Sequence, residues 1–340
     1  MTRILIVKMS ALGDILHTLP AVTDALKHDL SLQIDWLCEE PFADIARLHP
    51  GLHQVIPHGR LRWKKRRLAF VTLKEQWQFY RGLRRNQYDL VIDAQGRIKS
   101  ARVGWLSGAP VFGPDEQSAT DAETRHVYRQ GYPITEVNAI ERTRELFGKV
   151  LGYQPQGEPD FGIQTSRLAS CQASWHDQLI FFHGTTWDSK HWPERQWCEL
   201  LQLARQAGQK VLLPWGNDTE KQRAEHLVAS SGWGEVLPHM SLWDLSGVIA
   251  RCKGAVGVDT GLMHVAAGIG IPTVAIFGST SVALTGAMGS RVVNFQADFE
   301  CSPCRQKICL MLLDNIPPCY STISATKVWS ELLILAEKRV

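Results

Sequence analysis

Short apolar runs alternate with longer segments of helical spacing along the chain. The runs have the continuous apolar character of strands that are buried on both faces of a parallel sheet. In the first half they are Ile4–Val7, Ile34–Leu37, Val55–Pro57, Leu90–Asp93 and Val111–Phe112. In the second half they are Ile180–His183, Val211–Pro214, Val256–Asp259 and Thr273–Phe277. Strands that alternate with helices predict an α/β fold with doubly wound parallel sheets.

The segments between these runs repeat apolar residues at the three- and four-residue spacing of amphipathic helices. The predicted helices are Ile15–His28, Arg66–Arg85, Ile98–Leu106, Glu194–Gln206, Thr219–Ser230, Leu242–Arg251 and Met263–Gly268. The periodicity fades over Gly152–Gly162, which indicates a linker. We therefore predict Rossmann-like domains over residues 1–160 and 161–325, followed by a closing helix within 326–340.

Composition narrows the class of protein. A chain of 340 residues with 44% hydrophobic and 21% charged residues has room for two packed cores, which excludes a disordered chain or a fibre. No apolar run reaches the roughly 18 residues of a membrane span, and the N-terminus lacks the apolar region of a signal peptide. Eight cysteines without such a signal indicate a reduced, cytoplasmic protein.

Although the net charge of the chain is only +3, one segment is strongly basic. Arg60–Arg85 contains ten basic residues and a single acid, Glu75. Such a segment suits a nucleic acid, an anionic membrane surface or a phosphorylated substrate, although it can also be a solvated helix face. Because no nucleic-acid-binding motif accompanies it, we expect no nucleic-acid partner.

The first strand-to-helix turn argues against a dinucleotide. A site for NAD requires several glycines there, so that the pyrophosphate lies against bare backbone. This turn has Gly13 followed by Asp14, and an acid near a helix N-terminus repels phosphate. Asp14 is therefore either a plain helix cap or a general base at the edge of the sheet.

Two loops after strands of the second half suit a nucleotide. The loop His183–Pro193 places hydroxyls and one ammonium group before a helix that starts after proline, as a phosphate clamp requires. Lys190 in this loop could instead be a surface lysine. The loop Pro214–Glu220 offers an aromatic ring and an acid for a base and its ribose, although a turn with a helix cap has the same pattern.

A third loop has the sharpest pattern. A buried strand ends in Asp259-Thr260-Gly261, and a helix of small residues begins at once. The first N–H groups of that helix and its dipole point at one spot, which favours an anion such as a diphosphate. His264 lies one turn along, on the helix face towards the loop.

The chain resembles the lipopolysaccharide heptosyltransferases of glycosyltransferase family 9, in particular those that add the first heptose of the inner core. The matching segments, in the family's order, are KMSALGDILHTLPA from Lys8, VIDAQGRIKSA from Val91, ERTRELF from Glu141, FFHGTTWDSKHWPE from Phe181, LPWGNDTEKQRA from Leu213, LPHMSL from Leu237 and VGVDTGLMHVAA from Val256. The resemblance implies a GT-B fold, in which two Rossmann-like domains face a cleft. It also implies metal-independent inverting transfer, without a cofactor, from ADP-L-glycero-β-D-manno-heptose to Kdo-lipid A. We expect such a protein to lie on the cytoplasmic face of the inner membrane.

The resemblance also assigns roles to single positions. Asp14 matches the catalytic base. The residues that match the diphosphate and heptose loops are Thr185, Thr186, Lys190, Asp259, Thr260, Gly261 and His264. Those that match the adenosine pocket are Trp215, Gly216, Glu220 (on the ribose) and Met240. Those that match the basic acceptor side are Arg62, Lys64, Lys65 and Lys99. A base and a stabilised leaving group suffice for inversion, which agrees with the lack of an Asp-x-Asp metal motif.

One cysteine-rich segment, 301–319, departs from the nearest family pattern. Its cysteines are Cys301, Cys304, Cys309 and Cys319, separated by two, four and nine residues. Clustered thiols suggest a structural Zn or Fe site, and four reduced cysteines in a loop are the alternative. Because related clusters occur in other branches of the family, transfer to another acceptor, such as a second core heptose or a protein, stays open. A non-catalytic module that binds a nucleotide sugar is a further alternative, since it would keep the three loops of the second half but has no need of Asp14.

Overall fold

The computed structural model describes residues 2–65, 69–168, 172–313 and 316–337. The chain divides into two compact units, Met1–Gln164 and Thr165–Val340. Each unit contains one six-stranded sheet in which neighbouring strands are parallel. The predicted α/β class with two doubly wound parallel sheets is confirmed.

The first unit is built on a sheet of strand order β3-β2-β1-β4-β5-β6. Its strands are β1 (Arg3–Val7), β2 (Gln33–Glu39), β3 (Gln54–His58), β4 (Leu90–Asp93), β5 (Val111–Pro114) and β6 (Gln130–Tyr132). The central strands are apolar and buried, as Leu5 and Val91 illustrate, because helices cover both faces of the sheet.

The helices of the first unit are α1 (Leu12–Leu16), α2 (Leu19–His28), α3 (Ala43–Ala46), α4 (Arg60–Lys65), α5 (Phe70–Arg85), α6 (Ile98–Trp105) and α7 (Ala139–Leu151). The prediction of one helix over Ile15–His28 is wrong. The helix is interrupted at His17 and Thr18, which end α1 and begin α2. Pro20 has no N–H and therefore favours the first turn of a new helix. Of the basic segment, Arg66 and Arg67 lie outside the described residues.

Helix α7 was not predicted, although both of its ends carry recognisable signals. The Asn138 side chain accepts a hydrogen bond from the N–H of Ile140, and Gly152 ends the helix in the left-handed conformation, with φ at 82°. Asparagine at the N-cap and glycine just after the last turn are common helix boundaries.

The second unit has the strand order β12-β11-β10-β7-β8-β9. Its strands are β7 (Leu179–Phe182), β8 (Val211–Leu213), β9 (Glu235–Val236), β10 (Gly254–Val258), β11 (Thr273–Phe277) and β12 (Val292–Gln296). Its helices are α8 (Glu194–Gln206), α9 (Asp218–Ser231), α10 (Leu242–Ile249), α11 (Gly261–Ile269), α12 (Val282–Thr285) and α13 (Ala325–Glu337). Helix α13 packs on α8, and residues 338–340 of the predicted closing segment lie outside the described residues.

Both sheets have the same topology. The strand order reverses between β1 and β4 in the first unit, and between β7 and β10 in the second. In open α/β sheets, ligands bind outside the carboxyl ends of the strands at such a reversal. The three strands missing from the prediction, β6, β9 and β12, lie at sheet edges, where short or polar runs give a weak signal. None of the described helices is long and apolar enough to span a membrane.

Candidate functional site

Two loops at the reversal point of the first sheet are tied together by side chains. The Gln95 Oε1 accepts hydrogen bonds from the N–H groups of Met9 (3.0 Å) and Ser10 (3.2 Å). The Lys8 ammonium donates to the carbonyl of Ala94 at 2.9 Å. The loop after β4 therefore positions the loop after β1, which leads directly into α1.

Asp14 lies in the first turn of α1 and is partly exposed. Its Oδ2 accepts a hydrogen bond from the N–H of Ala11 at 3.0 Å, so the carboxylate does cap the helix. This contact also holds the carboxylate in one orientation at the carboxyl edge of the sheet. A general base needs such a fixed position, and therefore the two roles are compatible.

A second acid at this edge, Asp93, was missing from the sequence-based site. It is fully buried at the end of β4. It accepts hydrogen bonds from the Tyr128 hydroxyl (2.7 Å), the Ser100 hydroxyl (2.9 Å) and the Gln95 N–H (2.9 Å). Burial outweighs these bonds and raises the pKa of Asp93 to about 6. The available signal was an acid at the end of a buried strand.

The predicted acceptor residues separate into two groups. Lys64 and Lys99 line one cavity of about 430 Å³, together with Met9 from the loop after β1. Arg62 instead pairs with two carboxylates, Glu75 at 2.5 Å and Glu40 at 3.0 Å. Lys65 is exposed on α4. The structure thus brings together two of the four predicted cations.

The strongest cluster lies at the reversal point of the second sheet. The Lys190 ammonium is 2.7 Å from Asp259 Oδ2, and His264 Nε2 is 3.5 Å from Asp259 Oδ1. The Thr185 hydroxyl donates to the carbonyl of Asp259 at 3.1 Å. Burial by itself would raise the pKa of the Asp259 carboxyl, but the His264 hydrogen bond and the Lys190 charge hold it well below its usual range.

Helix α11 begins beside this cluster. Thr260 is its N-cap but makes no side-chain capping bond, and Gly261 is its first residue. The first N–H groups of a helix have no carbonyl partner within it, and the positive end of the helix dipole lies there. The exposed Thr186 follows Thr185 in the neighbouring loop. This arrangement of N–H groups, hydroxyls and one ammonium suits an anion.

The residues predicted to bind adenosine lie in the loop after β8, in the first turn of α9 and in the segment before α10. The Gly216 N–H donates to Glu220 Oε2 at 2.7 Å. A Cβ at Gly184 would lie 2.8 Å from the Glu220 carboxyl carbon, so the loop after β7 approaches this acid as closely as only glycine allows. The Trp215 indole donates to the Leu237 carbonyl at 2.7 Å. Met240 is partly buried in the segment that precedes α10.

The cysteine-rich segment contacts the Lys190 loop, which sequence reasoning missed. Ser189 donates through its hydroxyl to the Gln306 carbonyl (2.5 Å) and through its N–H to the Lys307 carbonyl (3.2 Å). The ammonium groups of Lys190 and Lys307 lie 4.7 Å and 6.0 Å from the Trp187 ring. Lys307 thus adds a second cation beside the predicted anion site.

The four cysteines carry free thiols in this structure. Burial, together with the nearby thiols of Cys301, Cys309 and Cys304, raises the pKa of Cys319 to about 11. Within the described ranges, which include all four cysteines, no group of three or more His, Cys, Asp or Glu residues is placed to hold a metal ion. A structural Zn or Fe site stays a prediction.

Comparison with known proteins gives consistent matches. The model of glycosyltransferase family 9 (heptosyltransferase) matches residues 76–313. The chain is 42% identical over 313 residues to Lipopolysaccharide heptosyltransferase 1 of Pseudomonas aeruginosa, covering 90% of this chain and 87% of that relative. It superposes on the E. coli heptosyltransferase WaaC with ADP at a TM-score of 0.85 and 36% identity, over 98% of this chain and 100% of that one. For the E. coli WaaC structure with ADP-2-deoxy-2-fluoro heptose, the TM-score is 0.80 and the identity 35%, over 98% and 99% of the two chains.

Proposed function

Because the chain belongs to glycosyltransferase family 9, as its motifs predicted, we propose that it transfers L-glycero-D-manno-heptose from ADP-heptose to the Kdo of Kdo-lipid A in lipopolysaccharide inner-core synthesis. The observation that carries this proposal is the Lys190–Asp259–His264 cluster beside the N-terminus of α11. The likeness to heptosyltransferase structures with ADP and with an ADP-heptose analogue supports the choice of donor.

The donor diphosphate binds at this cluster. Asp259 holds the Lys190 ammonium in place, while the N–H groups of α11 and the hydroxyls of Thr185 and Thr186 supply further donors. Positive charge fixed in advance stabilises the ADP as negative charge develops on it during departure. A metal ion is then unnecessary for the departure of ADP.

The adenosine part of the donor binds at the loop after β8 and its surroundings. The Glu220 carboxylate accepts hydrogen bonds from the ribose hydroxyls. The Trp215 ring, anchored by its bond to Leu237, and the Met240 side chain contact the base.

Asp14 is the general base of the transfer. It takes the proton of a Kdo hydroxyl, and the hydroxyl oxygen forms a bond to the anomeric carbon of the heptose as the bond to ADP breaks. Attack from the face opposite ADP inverts the configuration at that carbon. Gln95 positions Asp14 indirectly, since it holds the backbone that leads into α1.

The acceptor binds through the basic side of the first unit. Lys64 and Lys99 contact its anionic groups within their shared cavity, and Arg62 and Lys65 extend the positive surface along α4. Because the acceptor is lipid-linked, we place the enzyme peripherally on the cytoplasmic face of the inner membrane.

A transfer assay with defined acceptors tests the proposal. ADP-heptose is incubated separately with Kdo-lipid A, with a core that already carries one heptose, and with a protein acceptor. The masses of the products are measured by mass spectrometry. We expect one added heptose on Kdo-lipid A and none on the other two. Transfer only to the heptosylated core or the protein would assign another acceptor, and donor binding without transfer to any of them would indicate a nucleotide-sugar-binding module.

A further inference from the structure

Helix α5 exposes an unusual number of large apolar side chains. Phe70 is 81% exposed, Val71 65%, Leu73 56% and Trp77 60%. Large apolar residues are normally exposed one at a time, and a contiguous exposed patch marks a surface that binds something. We refer to these four residues as the α5 ridge.

The ridge faces away from the core of its unit. Phe70 and Trp77 of the ridge form one stripe along the helix with Lys74 and Arg81, since these residues follow one another at four-, three- and four-residue intervals. Val71 and Leu73 flank this stripe on its two sides. The buried residues Thr72 and Leu83 belong to the opposite side of α5. The Arg81 guanidinium lies 4.9 Å from the centre of the Trp77 ring, so cations are interleaved with the apolar side chains.

The ridge lies at the same edge of the sheet as the proposed acceptor site. Helix α5 leads into the start of β4, so its first turns lie towards the carboxyl edge, where the loops after β1 and β4 are. Glu75 of α5 accepts hydrogen bonds from Arg62 (2.5 Å) and from the Trp63 indole (2.9 Å) of α4. The basic residues of α4 are thereby fixed beside the ridge.

We propose that the α5 ridge inserts into the interfacial layer of an anionic lipid bilayer, with Lys74 and Arg81 at the level of the phosphates. Helices that combine bulky apolar side chains with Lys and Arg bind at this depth, since apolar burial and attraction to anionic lipids act together. The charge also argues against a second copy of this chain as the occupant, because it would bring two sets of cations together. The inference rests on the proposed function in one respect: a lipid-linked acceptor gives the enzyme a reason to bind the bilayer.

Vesicle binding by the full chain tests the insertion. The vesicles contain one part phosphatidylglycerol to about three parts phosphatidylcholine, and binding is measured by co-sedimentation. Replacing two exposed aromatic rings in Phe70→Ser/Trp77→Ser should weaken partitioning at least about tenfold. The matched control is Leu30→Ser, an 88% exposed residue in the same unit but outside α5, and it should bind as the wild type does.

Three further readouts make the test decisive. Unchanged circular dichroism and thermal midpoint of the double variant would show that any loss of binding is not unfolding. Wild-type binding should fall on pure phosphatidylcholine vesicles and at high salt. Equal vesicle binding by the double variant and the wild type would overturn the insertion, and so would a ridge variant that changed only a dimer–monomer equilibrium in sedimentation.

Activity separates a failure of this inference from a failure of the proposed function. With a deacylated, water-soluble acceptor, the double variant should match the wild type. With the acceptor embedded in vesicles, its rate should fall several-fold. If the wild type transferred heptose to neither acceptor, the proposed function would fail while the vesicle result still stood. If both proteins were equally active on both acceptors, the ridge would have no role in reaching a membrane-embedded acceptor.

Discussion

Asp93 and Asp259 lie at the carboxyl ends of corresponding strands, β4 and β10, in two sheets of the same strand order, yet the pKa values of their carboxyls are shifted in opposite directions. Asp93 ends β4 and is surrounded by hydroxyl and N–H donors, and burial raises its pKa to about 6. Asp259 follows β10, and Lys190 and His264 hold its pKa low despite burial. The comparison shows that the fold supplies the position, while the charge of the neighbours decides whether it carries ionic chemistry.

The helices that begin at the two reversal points, α1 and α11, differ in how their N-termini are capped. In the first unit, the Asp14 carboxylate accepts the hydrogen bond of the Ala11 N–H. In the second unit, Thr260 leaves the start of α11 without a side-chain cap. One helix start carries its own negative charge, and the other is open to a negative ligand. This difference separates the proposed base from the proposed diphosphate site.

The largest effect is expected from removing the charge of Asp14. Asp14→Asn should lower kcat by at least about 10²-fold and leave ADP affinity unchanged, since general bases contribute roughly 10²- to 10⁴-fold. Steady-state kinetics and calorimetric titration of ADP measure the two quantities. The control is Asp29→Asn, which also removes a carboxylate that accepts a local N–H, at 2.8 Å from Ser31. Near-normal turnover of the folded Asp14 variant would leave this residue as a helix cap only.

The next largest effect concerns the ion pair of the second unit. Lys190→Ala should weaken ADP binding and also destabilise the protein, because it leaves the buried Asp259 carboxylate without its cation. Breaking a buried pair typically costs about 3–5 kcal/mol. The double variant Lys190→Ala/Asp259→Asn should regain much of this stability in urea unfolding but still bind ADP weakly. Wild-type ADP affinity in the double variant would remove Lys190 from the donor site.

The opposite pKa shifts of Asp93 and Asp259 predict that their contributions to the free energy of unfolding depend on pH in opposite ways. The folded-state pKa of Asp93 lies above that of the unfolded chain, so its contribution to stability falls as the pH rises from about 4 to about 6. The expected size is about 3 kcal/mol. For Asp259 the folded-state pKa is the lower one, so its contribution is present above about pH 4 and is lost as the pH falls.

Wild-type minus variant stabilities, measured by urea unfolding, isolate each contribution: across about pH 4–7 for Asp93, and from about pH 5 down to about pH 2 for Asp259. Taking this difference is necessary because burial also lowers the pKa of His58 and His183 to about 4, which makes the native state less stable as the pH falls from 6.5. Asp93→Asn should become more stable relative to the wild type as the pH rises. If the stability difference between the wild type and Asp93→Asn did not change with pH, the pKa of the Asp93 carboxyl would not be raised.

A smaller effect is expected on the basic acceptor side. Charge reversal of Lys64 or Lys99, which share a cavity, should raise the acceptor KM about fivefold each, with ADP binding intact. Arg62→Glu should change the acceptor KM less, because Glu40 and Glu75 already neutralise that guanidinium. Kinetics at two salt concentrations check this ranking. Equal effects at all three positions would show that the whole of α4 and its surroundings attracts the acceptor as one surface.

The Lys190–Asp259–His264 cluster could be predicted from the sequence because its signals are local. A buried strand, Asp259-Thr260-Gly261 and a small-residue helix follow within a few positions, and adjacent parallel strands bring Lys190 to the same edge. Contacts between segments that are distant in the sequence could not be predicted in this way. Gln95 reaches Met9, and the Gln306 carbonyl reaches Ser189, only because tertiary packing brings those loops together. Exposed positions on α5 likewise became visible only once the packed side of the helix was known.

The smallest effect on activity is expected from removing metal ions. The proposed donor site already has Lys190 and the start of α11 to neutralise a diphosphate, and thiolates are poor ligands for the Mg²⁺ that bridges phosphates. Transfer should therefore proceed at full rate in EDTA. Elemental analysis of the same sample shows whether Cys301–Cys319 binds Zn or Fe. Since the Gln306 and Lys307 carbonyls of this segment accept hydrogen bonds from Ser189, beside Lys190, a bound metal would act by stabilising that loop. Activity that vanished in EDTA and returned with Mg²⁺ would overturn the metal-independent transfer.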